Sequence, residues 1–162
     1  MPVSQHDQKI PLALAHRQVC SDGPLHPQAL VGLEFFNRGE YFEAHESLEL
    51  AWREETGVVR DLYRGILQVA VMYHHVVRNN FRGAMKMYQR CMTWLTPFPP
   101  VCRGIDISDL RQNCQAVFDE LSRLGPQGIN RFNRAFLRPV KYTVQPSMPI
   151  HGLNEQNESP DE

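Results

Sequence analysis

The chain has 162 residues, enough for one domain with a real core and too few for two comfortable ones. Hydrophobic residues make up 42%, charged residues 22%, and the formal net charge is -1, so no global field steers the molecule towards nucleic acid or helps it hold an acidic substrate. No apolar run approaches the ~20 residues that span a bilayer, and Pro11 breaks the short run from Ile10 to Ala15, which reads as neither signal peptide nor anchor.

The four cysteines, Cys20, Cys91, Cys102 and Cys114, show no CxxC pair and no zinc-finger spacing. In a chain able to build its own core they are expected as reduced thiols, in a cytoplasmic setting.

Residues 1–25 are polar, without a sustained period, and read as a loose N-terminal arm. Residues 26–125 form the helical domain. Its first helix begins near Pro27, since proline suits a first turn, and carries Ala29, Leu30, Leu33 and Phe36 at helical spacing. Asn37 and Gly39 tolerate the left-handed geometry that ends helices. The second helix starts at Glu40 or Tyr41. Its seam is Tyr41, Ala44 or His45, Leu48, Ala51 and Trp52, and Thr56-Gly57 ends it.

The third helix, from about Val58 to Asn79, is the most apolar. Val59, Leu62, Ile66, Val69, Tyr73 and Val76 form one stripe and Tyr63, Leu67, Ala70, His74 and Val77 a second. A helix apolar over most of its circumference is a central one. Asn79-Asn80 caps a fourth helix with Ala84, Tyr88, Cys91 and Leu95 inward, and the proline-rich stretch from Thr96 to Pro100 stops it. Ser108 is the expected N-cap of a fifth helix striped by Leu110, Cys114, Val117, Leu121 and Leu124, with Gly125-Pro126 closing it. Residues 126–145 interleave Arg131, Arg134, Arg138 and Lys141 with Phe132, Phe136, Leu137 and Val140, as a segment that docks its aromatics on the bundle. Residues 146–162 have the composition of a disordered tail.

No stretch alternates with the period of a half-buried strand. The segment from Gly39 to Ala44 is echoed by that from Asn79 to Ala84, an offset of 40 residues. Tetratricopeptide units repeat at about 34, so the echo predicts two stacked hairpins. The expected fold is all-α: a compact bundle of about five helices built from two helix hairpins, loosely tetratricopeptide-like.

Chemistry, if present, falls between the second and third helices. His45 shares an apolar stripe with Tyr41, Leu48 and Trp52 and is expected to point inward, with Glu43, Glu46 and Glu49 on its flank. His74 also lies in an apolar stripe, while Arg64, Gln68 and His75 form a polar line. Charged groups taken out of water need partners, and three arrangements supply them. In one, Glu46 or Glu43 pairs with Arg64, and hydrogen-bonded His45 and His74 fix the helix register. In the second, Glu46 (or Glu43), His45 and His74 (or His75) ligate a divalent metal, although the Glu-x-x-His spacing of di-iron bundles is absent. In the third, a small anionic ligand meets Arg64, held also by Gln68 and His75, with a His/Glu pair as acid and base. Glu43, His45, Glu46, Arg64 and His74 are then the candidate catalytic residues. No nucleophile elbow, phosphate loop or zincin motif is present.

The residues Phe36-Asn37-x-Gly39-Glu40-Tyr41-x-Glu43-Ala44-His45-Glu46-x-Leu48-Glu49-x-x-Trp52, then Arg64-Gly65-Ile66-Leu67-Gln68-Val69-Ala70, Tyr73-His74-His75 and Asn80-x-x-Gly83-Ala84, closely resemble the domain of unknown function 309 family of small, mostly prokaryotic helical proteins. The resemblance spans about Leu33 to Leu95. It implies a compact all-α bundle and carries no activity with it. The family pattern reads Gly-Asn where this chain has Asn79-Asn80, at a turn that accepts either. The leading expectation is a helical domain binding a divalent metal or a small anionic ligand, with hydrolysis as its chemistry. The rival is a non-catalytic hairpin module for protein interaction or scaffolding, forming a homodimer through an exposed apolar helix face. There is no strong signal for a nucleic-acid partner, and no membrane is expected.

Overall fold

The computed structural model describes residues 11–21 and 23–144. The first part of the expected arm, residues 1–10, and the expected tail, residues 146–162, lie outside them. The described residues hold six helices: α1 (Leu12–Ser21), α2 (Pro27–Asn37), α3 (Tyr41–Glu54), α4 (Val59–Val77), α5 (Phe81–Leu95) and α6 (Ile107–Gly128). A two-stranded antiparallel hairpin, β1 (Val101–Cys102) and β2 (Ile105–Asp106), precedes α6. From α2 to α6 each helix packs against the next in the chain.

The all-α expectation holds, and the apolar stripes say why. Twelve of the nineteen residues of α4 are buried, so it is the central helix. On α3 the buried set is Tyr41, Ala44, Ser47, Leu48 and Ala51. That seam takes Ala44 and leaves His45, turned about 100° round the helix, on its edge. Both hairpins close on a glycine. A Cβ on Gly32 of α2 would lie 2.7 Å from Leu48 Cγ, and one on Gly65 of α4 would lie 2.7 Å from Leu95 Cδ2 and 2.9 Å from Leu95 Cγ. Neither leucine has exposed surface on which to move.

The echo is geometrical as well as sequential. In the α2–α3 turn Gly39 has φ 80°, Gly39 N donates to Phe36 O at 2.9 Å and Glu40 N to Phe35 O at 3.0 Å. In the α4–α5 turn Asn79 has φ 57°, Asn79 N donates to Val76 O at 3.0 Å and Asn80 N to His75 O at 2.8 Å. Each bond of the second turn is the first shifted by 40 positions.

Three expectations are corrected. The arm holds a helix, α1, and Cys20 at its end is disulfide-bonded to Cys102 in β1, with Cα atoms 4.3 Å apart across 82 residues of sequence. Only Cys91 and Cys114 are the free, buried thiols expected of all four. The hairpin completes the latch. Arg103 and Gly104 both take positive φ, as a two-residue hairpin turn requires, and Arg103 donates from Nε to Val19 O at 2.6 Å and from Nη1 to Pro24 O at 3.0 Å. Finally, α6 is capped by Asp106, whose carboxylate accepts from Asp109 N at 2.9 Å, and not by Ser108. A stop does fall at Gly125, which leaves helical geometry at φ 69°, ψ 177°.

Beyond it Phe132, Phe136 and Leu137 pack against the core. Asn37 pins the segment, donating to Val140 O at 2.9 Å and accepting from Val140 N at 2.8 Å.

Candidate functional site

The structure disperses the expected cluster into four local arrangements. The first is an open groove of about 250 Å³ on the α3–α4 seam, lined by Tyr41, Phe42, His45, Val71 and His74. His45 and His74 are half-buried at its edges rather than inward, and the Phe42 ring stands between them at 6.4 Å and 6.1 Å. His45 Nε2 lies 3.7 Å from Glu49, which also binds Arg53 at 2.5 Å.

The second is a shallow dent on the outside of α3, lined by Glu46, Glu49, Leu50 and Arg53. Glu43 and Glu46 are both exposed, and neither pairs with Arg64.

In the third, Arg64 is stacked on tryptophans. Its guanidinium carbon lies 5.4 Å from the Trp52 ring centre and 4.2 Å from that of Trp94, with Arg60 at 5.2 Å from Trp52. Gln68 is buried nearby on α4, its carbonyl oxygen without a hydrogen-bond partner, as is Nε of Arg60. The fourth is a helix cap. His75 Nδ1 accepts from the Asn80 side-chain amide at 3.1 Å, and Asn80 Oδ1 accepts from Gly83 N at 3.0 Å. Burial, and then the neighbouring His74, hold the His75 pKa below its ordinary value.

Axial depth explains the dispersal. Ten residues separate Arg64 from His74, about 15 Å along the axis of α4 at 1.5 Å per residue. A polar line at four- and seven-residue steps shares a face of the helix without sharing a site. Among the described residues no three His, Cys, Asp or Glu side chains gather in a way that could hold a metal ion. Glu46, His45 and His74 therefore do not form the expected ligand set: Glu46 points out from α3 about 100° away from His45.

The core below holds one unsatisfied group of its own. Burial raises the Tyr73 pKa well above the ordinary value, with the Cys114 thiol beside it adding to the rise, and its hydroxyl finds no hydrogen-bond partner of ordinary geometry. Burial likewise raises the Tyr41 pKa, against the pull of Arg134. Two features went unread in the sequence. Phe42 is an apolar residue off the α3 seam, and that was its available signal. His26 joins three helices: its ring Nδ1 caps α2 by accepting from Gln28 N at 3.0 Å, its Nε2 meets Glu54 at 2.8 Å, and its backbone N donates to Tyr63 at 2.8 Å.

Residues 30–87 match a family model described as "Domain of unknown function (DUF309)", so the segment from α2 into α5 carries the pattern that the sequence resembles. Among curated proteins the chain is similar to the uncharacterized protein YpuF of Bacillus subtilis (strain 168), at 29% identity over 60% of this chain and 59% of that one. It is also similar to an uncharacterized protein of Aquifex aeolicus (strain VF5), at 26% identity over 51% of this chain and 25% of that one. The matches thus span about three fifths and one quarter of those relatives' lengths. Among the described residues, no helix is long and apolar enough to cross a membrane.

Proposed function

We propose that this helical domain is a non-catalytic protein-interaction module that receives its partner on the outer face of α3, along the seam with α4. The observation that carries the reading is Phe42, 53% exposed at the mouth of the groove between His45 and His74. Two helical turns further on, Leu50 is 48% exposed on the same helix. Fully burying one such side chain contributes about 1.5–3 kcal/mol. Glu43, Glu46 and Glu49 flank the two anchors, which favours a partner with an apolar side chain between cationic ones. Such rim charges govern encounter rate and selectivity more than affinity.

The catalytic alternative needs acid, base and cation within reach of one reacting group. Arg64, half a helix away, supplies that to neither histidine.

The test compares wild type with Phe42→Glu, Leu50→Glu and Glu46→Gln, first for melting temperature and then for the affinity of captured partners. The two exposed apolar positions should tolerate charge in the free protein yet weaken capture at least tenfold, while Glu46→Gln weakens it less than fivefold. Equal capture by Phe42→Glu and wild type overturns the reading. So does a turnover that Glu46→Gln abolishes.

A further inference from the structure

A second surface lies on the opposite hairpin. Along α5, Arg82, Lys86 and Arg90 are exposed at successive four-residue steps, and Arg78, exposed at the end of α4, leads into them. No aspartate or glutamate occurs anywhere in α5. Like charges four apart on a helix repel one another, and among the described residues none of these four forms an ion pair. The C-terminal segment adds a fifth: Arg134, also exposed, donates from Nη2 to Val77 O at 3.4 Å, one residue before Arg78. Ile129, Asn130, Phe132 and Arg134 also line a small pocket with Val76 and Asn79. Two basic stretches far apart in sequence thus meet at the corner where α4 turns into α5.

We propose that this ridge docks the phosphate backbone of a nucleic-acid duplex. The net charge of -1 gives no global pull towards such a partner, but the fold segregates the charge. From Pro27 to Thr56 there are seven glutamates against two arginines, and from Val59 to Leu95 six arginines and lysines against one aspartate. A polyanion is therefore drawn to one side of the molecule. A protein partner fits the ridge poorly. None of the large exposed apolar side chains lies on α5, whereas protein interfaces are anchored by apolar residues and depleted of lysine. Single strands also fit poorly, because their binding relies on exposed aromatics for base stacking. Four of the five cations are arginines, whose forked donors match phosphate oxygens.

The test is the fluorescence anisotropy of a labelled duplex DNA, titrated with the full chain between 50 and 200 mM NaCl. With three to five phosphates neutralised, the plot of log affinity against log salt should have a slope of about -2.7 to -4.5, at roughly 0.9 per phosphate. R82Q/K86Q/R90Q should cut the slope by about 2.7, three phosphates' worth, and weaken binding at least tenfold at 50 mM NaCl. Arg134→Gln alone should remove about 0.9, and E43Q/E46Q on the other hairpin should leave the slope unchanged. If the triple variant melts early, Lys86→Gln and Arg134→Gln carry the comparison singly. Absence of binding at 50 mM NaCl overturns the proposal, as does an unchanged slope in the ridge variants. A salt-sensitive dimer that the ridge variants dissolve, with no duplex bound, assigns the ridge to a second copy and overturns it equally.

Discussion

The α2–α3 and α4–α5 hairpins are two renderings of one backbone plan. Their turns repeat each hydrogen bond at an offset of 40, both place a left-handed residue in the middle of the three-residue turn, and both helix pairs close over a glycine. Their surfaces share nothing. The first hairpin is acidic and carries exposed Phe42 and Leu50; the second is basic and has no large exposed apolar side chain on α5. Left-handed turns and close helix approach constrain particular backbone positions, while outward positions are free to take any charge. The shared plan therefore belongs to folding, and the divergence lies at the outward positions on which the two proposed docking faces rest.

The largest expected effects test whether the glycine contacts are equivalent. Gly65→Ala drives a methyl towards two atoms of the fully buried Leu95, so overpacking of about 1–3 kcal/mol outweighs the ~1 kcal/mol gain in helix propensity. A net loss of up to about 2 kcal/mol should lower the melting temperature by up to roughly 8 °C. Gly32→Ala meets only one atom closer than 3.0 Å, Leu48 Cγ, and should cost less. Equal losses, or a gain at Gly65, would show that the second hairpin can spread. At the turns, Gly39→Ala should cost about 1–2 kcal/mol for a left-handed Cβ, Asn79→Ala about as much, and Asn79→Gly close to nothing, all read from denaturant midpoints. A cost for Asn79→Gly would mean that the asparagine side chain does something the glycine turn lacks.

Much of this plan was legible in the residues. The stripes of α4 made it central, Gly39 and Asn79 marked the turns, and the echo gave the hairpins, because all of these are local rules of period and φ. What stayed hidden depends on placement in space. Cys20 and Cys102 are 82 residues apart with no spacing signature, and the contacts by which the β1–β2 hairpin and Arg103 hold α1 are equally non-local. Arg64, Gln68 and His75 share a face but differ in depth, so periodicity alone joined residues that lie well apart along the helix. The fifth cation of the basic ridge was hidden for the converse reason: Arg134 reaches the α4–α5 corner only through the fold.

The smallest contrast lies in the caps. Asn80 caps α5 through its side chain, while Glu40 offers α3 no side-chain hydrogen bond. Asn80→Ala should cost about 1 kcal/mol, and Glu40→Asn should gain about 0.5–1 kcal/mol. Only the second cap should also feel pH. The Asn80 amide donates to His75 Nδ1, so protonating that nitrogen would set donor against donor and release the cap. Burial and His74 already hold the His75 pKa below its ordinary value of 6.5. The folded state therefore binds fewer protons than the unfolded one as pH falls below that value, and stability declines with it. The contribution is fully present above the unfolded pKa and is lost on the way down to the folded one. Melting temperatures of wild type and His75→Gln should run parallel above neutrality and converge in acid. Curves that stay parallel throughout would place His75 outside the cap, and the two turns would then differ in surface alone.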